Sequence, residues 1–257
     1  MSTEKQNKSE KDWRPYWEMR LQMRPDVGGT GHRAFSMKYN EYMYLVATEN
    51  MQRGLKRAGV EVKGKRVLDA GAGLGYFVRR FIEWGAAEVT GLDLTDFSVQ
   101  NLSQMFPEQK FVRADLSEPN LPLPGNYDLV TAISMLFHIV EDDKFERAVT
   151  NLCQQTKPGG HLLLVDTFYK PIVVSAGHAN PRPLEKYIPI LERNGCRVKV
   201  IQTMYHFYGQ TLVPVIGPAI MNLPPVMELM LKGERWMAEH RPDQRGFLQY
   251  LIVEKAA

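Results

Sequence analysis

The 257-residue sequence predicts an α/β fold: a doubly wound, mostly parallel seven-stranded sheet with helices on its faces. Three observations carry that reading. From Arg66 onward short apolar strands alternate with amphipathic helices; the strand Val67-Leu68-Asp69-Ala70 turns into a helix through Gly71-Ala72-Gly73-Leu74-Gly75; and successive strands end on carboxylates, at Asp69, Asp93 and Asp115. The expected strands are Arg66 to Ala70, Val89 to Asp93, Lys110 to Arg113, Asp128 to Ile133, His161 to Thr167, Arg197 to His206 and Phe247 to Val253.

Taken in order, residues 1–15 are expected to be a disordered tail, because Lys5 to Lys11 mixes charges and has no apolar core. Residues 16–60 read as helical segments broken at Val27-Gly28-Gly29-Thr30-Gly31, a flexible joint that no helix would keep. Phe35, Tyr39 and Tyr42 with Leu45 and Val46 recur at helical spacing and mark a face that needs a partner. Tyr76 to Trp84 is a helix that buries Phe77, Val78, Phe81 and Ile82 and stops at Gly85. Between the last two strands lies an insertion at about residues 208–246. It is largely apolar from Thr211 to Leu231, and Pro214, Pro218, Pro224 and Pro225 prevent a single straight helix there.

Composition narrows the function classes. A net charge of +3 with both signs interspersed gives no phosphate-backbone binder, so no nucleic-acid partner is expected. Cys153 and Cys196 lie far apart in sequence and form no C-x-x-C pair, which indicates neither a zinc site nor a disulfide framework. No secretory signal or transmembrane segment is read, and a reducing cytoplasm is the expected location.

The glycine loop and the next strand end together specify a ligand. Glycines at a strand-to-helix turn let the backbone approach a ligand closely, and Asp93, 22 residues after Gly71, is placed to hold the two hydroxyls of a ribose. An adenosine-type cofactor is therefore expected. The dinucleotide fingerprint wants its third glycine at position 76, where this chain has Tyr76; the G-x-G-x-G spacing of Gly71, Gly73 and Gly75 argues against NAD.

Over Val67 to Val165 the chain resembles the class I S-adenosylmethionine (SAM) dependent methyltransferases of the small-molecule type, whose sheet is Rossmann-like. Five blocks in order carry the resemblance: Val67 to Gly75, Val89 to Asp93, Phe111 to Leu116, Tyr127 to His138 and Lys157 to Val165. It implies SAM as cofactor, S-adenosylhomocysteine as product, and no metal. It assigns the loop Gly71, Ala72, Gly73 and Gly75 to the methionine part of SAM, Asp69 to its amino group and Asp93 to the ribose. Leu94 is assigned to the adenine face, the Asp115 side chain and Leu116 amide to the adenine edge, and the backbone of Ile133 and Ser134 to the methionine amino group. Residues 16–60 would form a lid, from which Arg33, Tyr39 or Tyr42 reaches the methionine carboxylate; residues 61–257 would be the methyltransferase domain. Helix-dipole partnership for Asp69 and Asp93, a plain loop role for Asp115 and a docking role for Tyr39 and Tyr42 stand beside these assignments.

An oxygen nucleophile often needs a base, and histidine is the side chain tuned for that near neutral pH. His138, after the fourth strand, is the first catalytic candidate, against a structural helix-start role. His178 is the second; with Arg182 it offers a grip on an anionic or hydroxylated substrate. His206 reads as a packed strand residue. Ser134 to Phe137 lacks both the Asn-Pro-Pro-Tyr run of base-amine enzymes and the metal-binding acids of catechol-type enzymes. The paired-glutamate loop of protein arginine methyltransferases and a radical-type cysteine cluster are absent from the sequence too. The expected reaction is O-methylation of a hydrophobic, natural-product-like small molecule. The alternatives are N- or C-methylation, a protein or RNA substrate, or a catalytically silent SAM-fold binding protein. The insertion offers a pocket cap, a homodimer interface or a membrane contact, although Met227 to Met237 lacks a basic face for the last.

Overall fold

The computed structural model describes residues 12–31, 36–168, 177–207, 220, 223–244, 246 and 248–257. Strands β1 (Arg66–Ala70), β2 (Glu88–Asp93), β3 (Lys110–Arg113), β4 (Tyr127–Ile133), β5 (Thr156–Asp166), β6 (Cys196–Thr203) and β7 (Gln249–Lys255) form one sheet in the order β3-β2-β1-β4-β5-β7-β6. β1 to β5 pair in parallel, and β7 runs antiparallel to both neighbours. The mostly parallel, doubly wound arrangement is the one the sequence predicts. Successive side chains leave opposite faces of each strand, so Val67 and Leu163 enter one apolar layer while Leu68, Leu162 and Leu164 enter the other.

Eight helices can be traced among the described residues: α1 (Arg14–Met23), α2 (Val27–Thr30), α3 (Met37–Arg57), α4 (Tyr76–Glu83), α5 (Asp96–Met105), α6 (Asp142–Gln155), α7 (Leu184–Arg193) and α8 (Pro224–His240). α4 buries Val78 and Phe81 completely, and the chain turns away at Gly85, whose φ is +83°. Full burial of Phe81 stabilises the fold by roughly 1.5–3 kcal/mol. α5 begins at Thr95, whose hydroxyl accepts from the Ser98 amide, with Asp96 in its first turn against the helix dipole. α8 starts at Pro224, where the missing amide donor costs nothing, and packs on α3 through an Arg235 fork to Glu49 at 2.9 and 2.6 Å.

Several expectations need correction. The segment at Val27 is a helical turn rather than a loose joint. Asp26 caps it by accepting from the Gly28 amide, and the Arg20 guanidinium donates to the Gly29 and Gly31 carbonyls at 2.6 Å each. Its glycines serve close approach: a Cβ on Gly29 would lie 2.1 Å from the Arg24 carbonyl oxygen. β6 stops at Thr203, because the Met204 amide turns to the Leu248 carbonyl and the next amides to Glu234, so His206 lies past the strand. β5 starts earlier than expected, with Thr156 pairing Tyr127 before a register shift. The first part of the insertion (208–219, with 221, 222 and 245), the first eleven residues, Arg33, Phe35 and Phe247 lie outside the described residues.

Candidate functional site

At the carboxyl end of β1 the chain enters Gly71, Gly73 and Gly75 with φ of +77°, +53° and +79°. Side chains rarely adopt that region, and at Gly75 a Cβ would also lie 2.3 Å from Leu102. The loop is fastened to β2 and α5. Asp93 accepts from the Gly73 amide at 2.8 Å through Oδ2, and from the Thr95 amide and hydroxyl at 3.0 and 2.8 Å through Oδ1. The Ser98 hydroxyl donates to the Gly73 carbonyl. Burial pushes the Asp93 carboxyl up, and these donors oppose the shift.

Asp69 stands opposite Thr131 in the β1–β4 register and accepts its hydroxyl at 2.7 Å. Burial, with the nearby Asp93 charge as a smaller contribution, pushes Asp69 up to about 7, so it exchanges its proton near neutrality. Asp115, after β3, accepts from the Ser117 amide and hydroxyl through Oδ1 at 2.8 and 2.7 Å. Leu116 beside it is buried, and its carbonyl accepts from Asn151; Leu94 is half-buried next to Asp93. At the end of β4, Ile133 leads into Ser134, a non-glycine residue at φ +54° whose amide donates to the Val165 carbonyl. Such a conformation costs of order 1–3 kcal/mol and persists where its surroundings enforce it. The next side chain, Met135, lies against Gly71.

Both catalytic candidates converge here. The His138 and His178 rings stack with centroids 5.5 Å apart, and His138 Nδ1 lies 3.0 Å from the His178 carbonyl oxygen. A carbonyl only accepts, so Nδ1 carries the proton and Nε2 keeps a lone pair. Burial pushes His138 down to about 3, which makes it a neutral imidazole at pH 7. Trp17 meets His138 edge-on at 4.6 Å, while Tyr16 and Trp13 pack on His178 at 5.2 and 5.9 Å. The Arg20 guanidinium lies over Trp17.

Two further side chains depart from expectation. Arg182 does not grip a ligand; it is buried, donates to Asp142 and to the Ile139, Asn180 and Val140 carbonyls, and covers Phe145. Tyr39 is buried in the core cluster that includes Ala72, so its ring docks α3 rather than facing a ligand. His206, as expected, is packed, with Nδ1 on Glu234 and Nε2 on the Arg241 carbonyl. The aromatic wall was missed, though its signal is present: Trp13, Tyr16, Trp17 and Arg20 recur at helical spacing on one face of α1. Thr30 was missed as well; it accepts from Tyr44 at 2.7 Å and lies beside Gly73.

A left-handed glycine loop after β1, a carboxylate at the end of β2 and this strand order coincide with a family match: residues 67–160 fit the model of a methyltransferase domain. The chain carries a class I SAM-dependent methyltransferase domain. Among curated proteins, the ubiquinone biosynthesis O-methyltransferase of Bordetella bronchiseptica is 32% identical over 127 residues, 47% of this chain and 51% of that protein. O-methyltransferase rstn1 of Aspergillus nomiae is 26% identical over 149 residues, 55% of this chain and 62% of that protein. The chain thus spans about half the length of the first of these relatives. Among solved structures, magnesium protoporphyrin IX methyltransferase from Synechocystis PCC 6803 with bound SAM shares the fold, with a TM-score of 0.62, 17% identity and 95% of each chain covered. The loop's shape requires its glycines: Gly71, Gly73 and Gly75 are left-handed, a Cβ at each would meet Met135, Thr30 or Leu102, and the Asp69 and Asp93 carboxyls lie buried at the ends of β1 and β2 beside the loop. Among the described residues, no group of three or more His, Cys, Asp or Glu side chains is arranged to hold a metal, and no helix is long and apolar enough to cross a membrane.

Proposed function

We propose that this chain transfers a methyl group from SAM to a hydroxyl of a hydrophobic small molecule. The observation that carries the reading is the His138–His178 stack at the turn after β4, the turn whose Met135 side chain lies against Gly71. SAM, when bound, supplies an electrophilic methyl group. The chain's residues then have to hold donor and acceptor in line and manage one proton. Gly71, Ala72, Gly73 and Gly75 cradle the methionine part, with Asp69 and the backbone of Ile133 and Ser134 toward its amino group. Asp93 holds the ribose, and Leu94, Asp115 and Leu116 border the adenine. His178 fixes the His138 tautomer through its carbonyl, and His138 Nε2 accepts the acceptor's hydroxyl proton. α1 and α2 act as a lid, with Trp17 against His138 and Thr30 against Gly73. Arg33, outside the described residues, is assigned by charge to the methionine carboxylate.

The relatives named O-methyltransferases support oxygen as the acceptor atom. The test is calorimetric titration with SAM, S-adenosylhomocysteine and NAD, on the wild type and on Asp93→Ala, followed by a mass-shift screen of phenols and amines. Binding of both sulfur nucleosides, weakened in the variant by roughly tenfold to a hundredfold and absent for NAD, is the expected result. Failure of SAM to bind would overturn the proposal; methylation of amines alone would redirect it to nitrogen.

A further inference from the structure

Arg20 joins two helices that the backbone separates. α1 ends at Met23 and α2 begins at Val27, with Arg24, Pro25 and Asp26 between them. From α1 the Arg20 guanidinium crosses this link: Nε donates to the Gly29 carbonyl and Nη2 to the Gly31 carbonyl, each at 2.6 Å. Carbonyls at the C-terminal end of a helix have no partner within it, and the planar fork of an arginine can take two at once. The third nitrogen, Nη1, donates to the Tyr16 hydroxyl at 3.3 Å, and the guanidinium carbon lies 5.1 Å from the centre of the Trp17 ring.

The helices so joined touch different parts of the site. On α2, the Thr30 methyl carbon would stand 2.9 Å from a Cβ on Gly73, and the Leu74 side chain lies beside Gly29. On α1, Trp17 meets His138 at 4.6 Å and Tyr16 meets His178 at 5.2 Å. Tyr16 and Trp17 are the two rings that Arg20 itself contacts. One guanidinium therefore connects the cover of the glycine loop to the wall around both histidines. A second fastening of α1 runs elsewhere: Glu18 accepts from the Phe97 amide at 3.0 Å, which ties α1 to the first turn of α5 and not to α2.

We propose that Arg20 is a positioning residue that makes α1 and α2 one body, so that filling the donor site fixes the acceptor wall before the acceptor arrives. The inference rests on the donor and acceptor sites proposed above. A ligand on the glycine loop favours the arrangement in which α2 covers it, and the two carbonyl bonds pass that preference to α1. Trp17 and Tyr16 are then held against His138 and His178. A lysine at position 20 keeps the charge but lacks the fork that spans both carbonyls.

The test is hydrogen–deuterium exchange of the full chain with and without saturating S-adenosylhomocysteine, read in peptides covering residues 14–24 and 25–31. Wild type, Arg20→Met, Arg20→Lys and Glu18→Met are compared. In the wild type both segments are expected to slow together, by roughly 5- to 100-fold. In Arg20→Met the nucleoside still titrates and residues 25–31 still slow, whereas residues 14–24 exchange alike with and without it. Arg20→Lys falls between the two, and serves the same comparison if Arg20→Met does not fold. Glu18→Met keeps the response of residues 14–24. Slowing of only one segment in the wild type would overturn the proposal, as would a response of residues 14–24 that survives in Arg20→Met, the mark of a merely structural arginine. Loss of that response in Glu18→Met would route the coupling through α5, and loss of nucleoside binding in Arg20→Met would put Arg20 in the donor site; either result overturns it. A wild type that fails to bind S-adenosylhomocysteine in calorimetry would instead remove the donor site itself, and this inference with it.

Discussion

The floor and the wall of the candidate site are held by opposite means. The floor, Gly71 to Gly75, is backbone fastened by hydrogen bonds to Asp93 and Ser98. The wall is side chain on side chain: Trp17 on His138, His138 on His178, and Tyr16 on His178. A hydrogen-bonded backbone loop tolerates no change of shape, whereas ring contacts are each worth about 0.5–1.5 kcal/mol and can be removed one at a time. Damage to the floor should therefore be all-or-none and felt by the donor. Damage to the wall should be graded and felt by the acceptor.

The largest effect should come from the wall's one reactive group. His138→Ala is expected to lower kcat by roughly 10²–10⁴ while SAM affinity holds, a split that steady-state kinetics with calorimetry would reveal. Because burial pushes His138 down to about 3, it is deprotonated from there upward, and the wild-type rate should show no loss from this residue as pH falls from about 8 to 5. An acid limb near the ordinary histidine value would mean that the wall opens to water during turnover.

Gly75→Ala breaks the floor. With φ at +79° and Leu102 2.3 Å from the new Cβ, it should destabilise the fold by about 2–4 kcal/mol, visible as a lowered Tm and a lost SAM titration. An unchanged Tm would show that the loop adapts and would erase the contrast.

Trp17→Ala removes one ring contact and should raise the acceptor KM by roughly 2–10-fold with SAM affinity preserved. Loss of SAM binding instead would place α1 with the floor.

The most gradual readout is a pH slope. The folded-state value of Asp69 is raised from 3.8 to about 7, so the native state holds its proton more tightly than the unfolded chain does. Its contribution to stability is complete below pH 3.8 and fades as pH rises toward 7. Asp69→Asn should flatten that decline in Tm. The slope left in the variant should end near pH 6, where burial sets Asp166.

Much of the floor could be read from the chain because its parts are local or lie at fixed spacing. Three glycines in one turn and a carboxylate at the next strand end are separated by a single helix, whose length the fold constrains. The strands were legible for the same reason, as apolar runs long enough to cross a sheet. The wall was legible only in halves: the histidines were singled out one by one, and the aromatic face of α1 went unread. Trp17 and His138 touch although they lie far apart in the chain, a contact that no local pattern encodes. Arg182 misled because a charged residue in a loop usually faces water, and here three carbonyls and Asp142 compensate its burial.

The sequence by itself determined the strand–helix alternation, the glycine loop and the carboxylates at the strand ends, because each depends on torsional preference or on periodicity within one element. Only the tertiary structure decided that His138 and His178 stack against Trp17 and that Asp69 is buried against Thr131. Those facts depend on which faces the packed sheet brings together, and burial, opposed by the hydrogen bonds each group finds there, then shifts its charge.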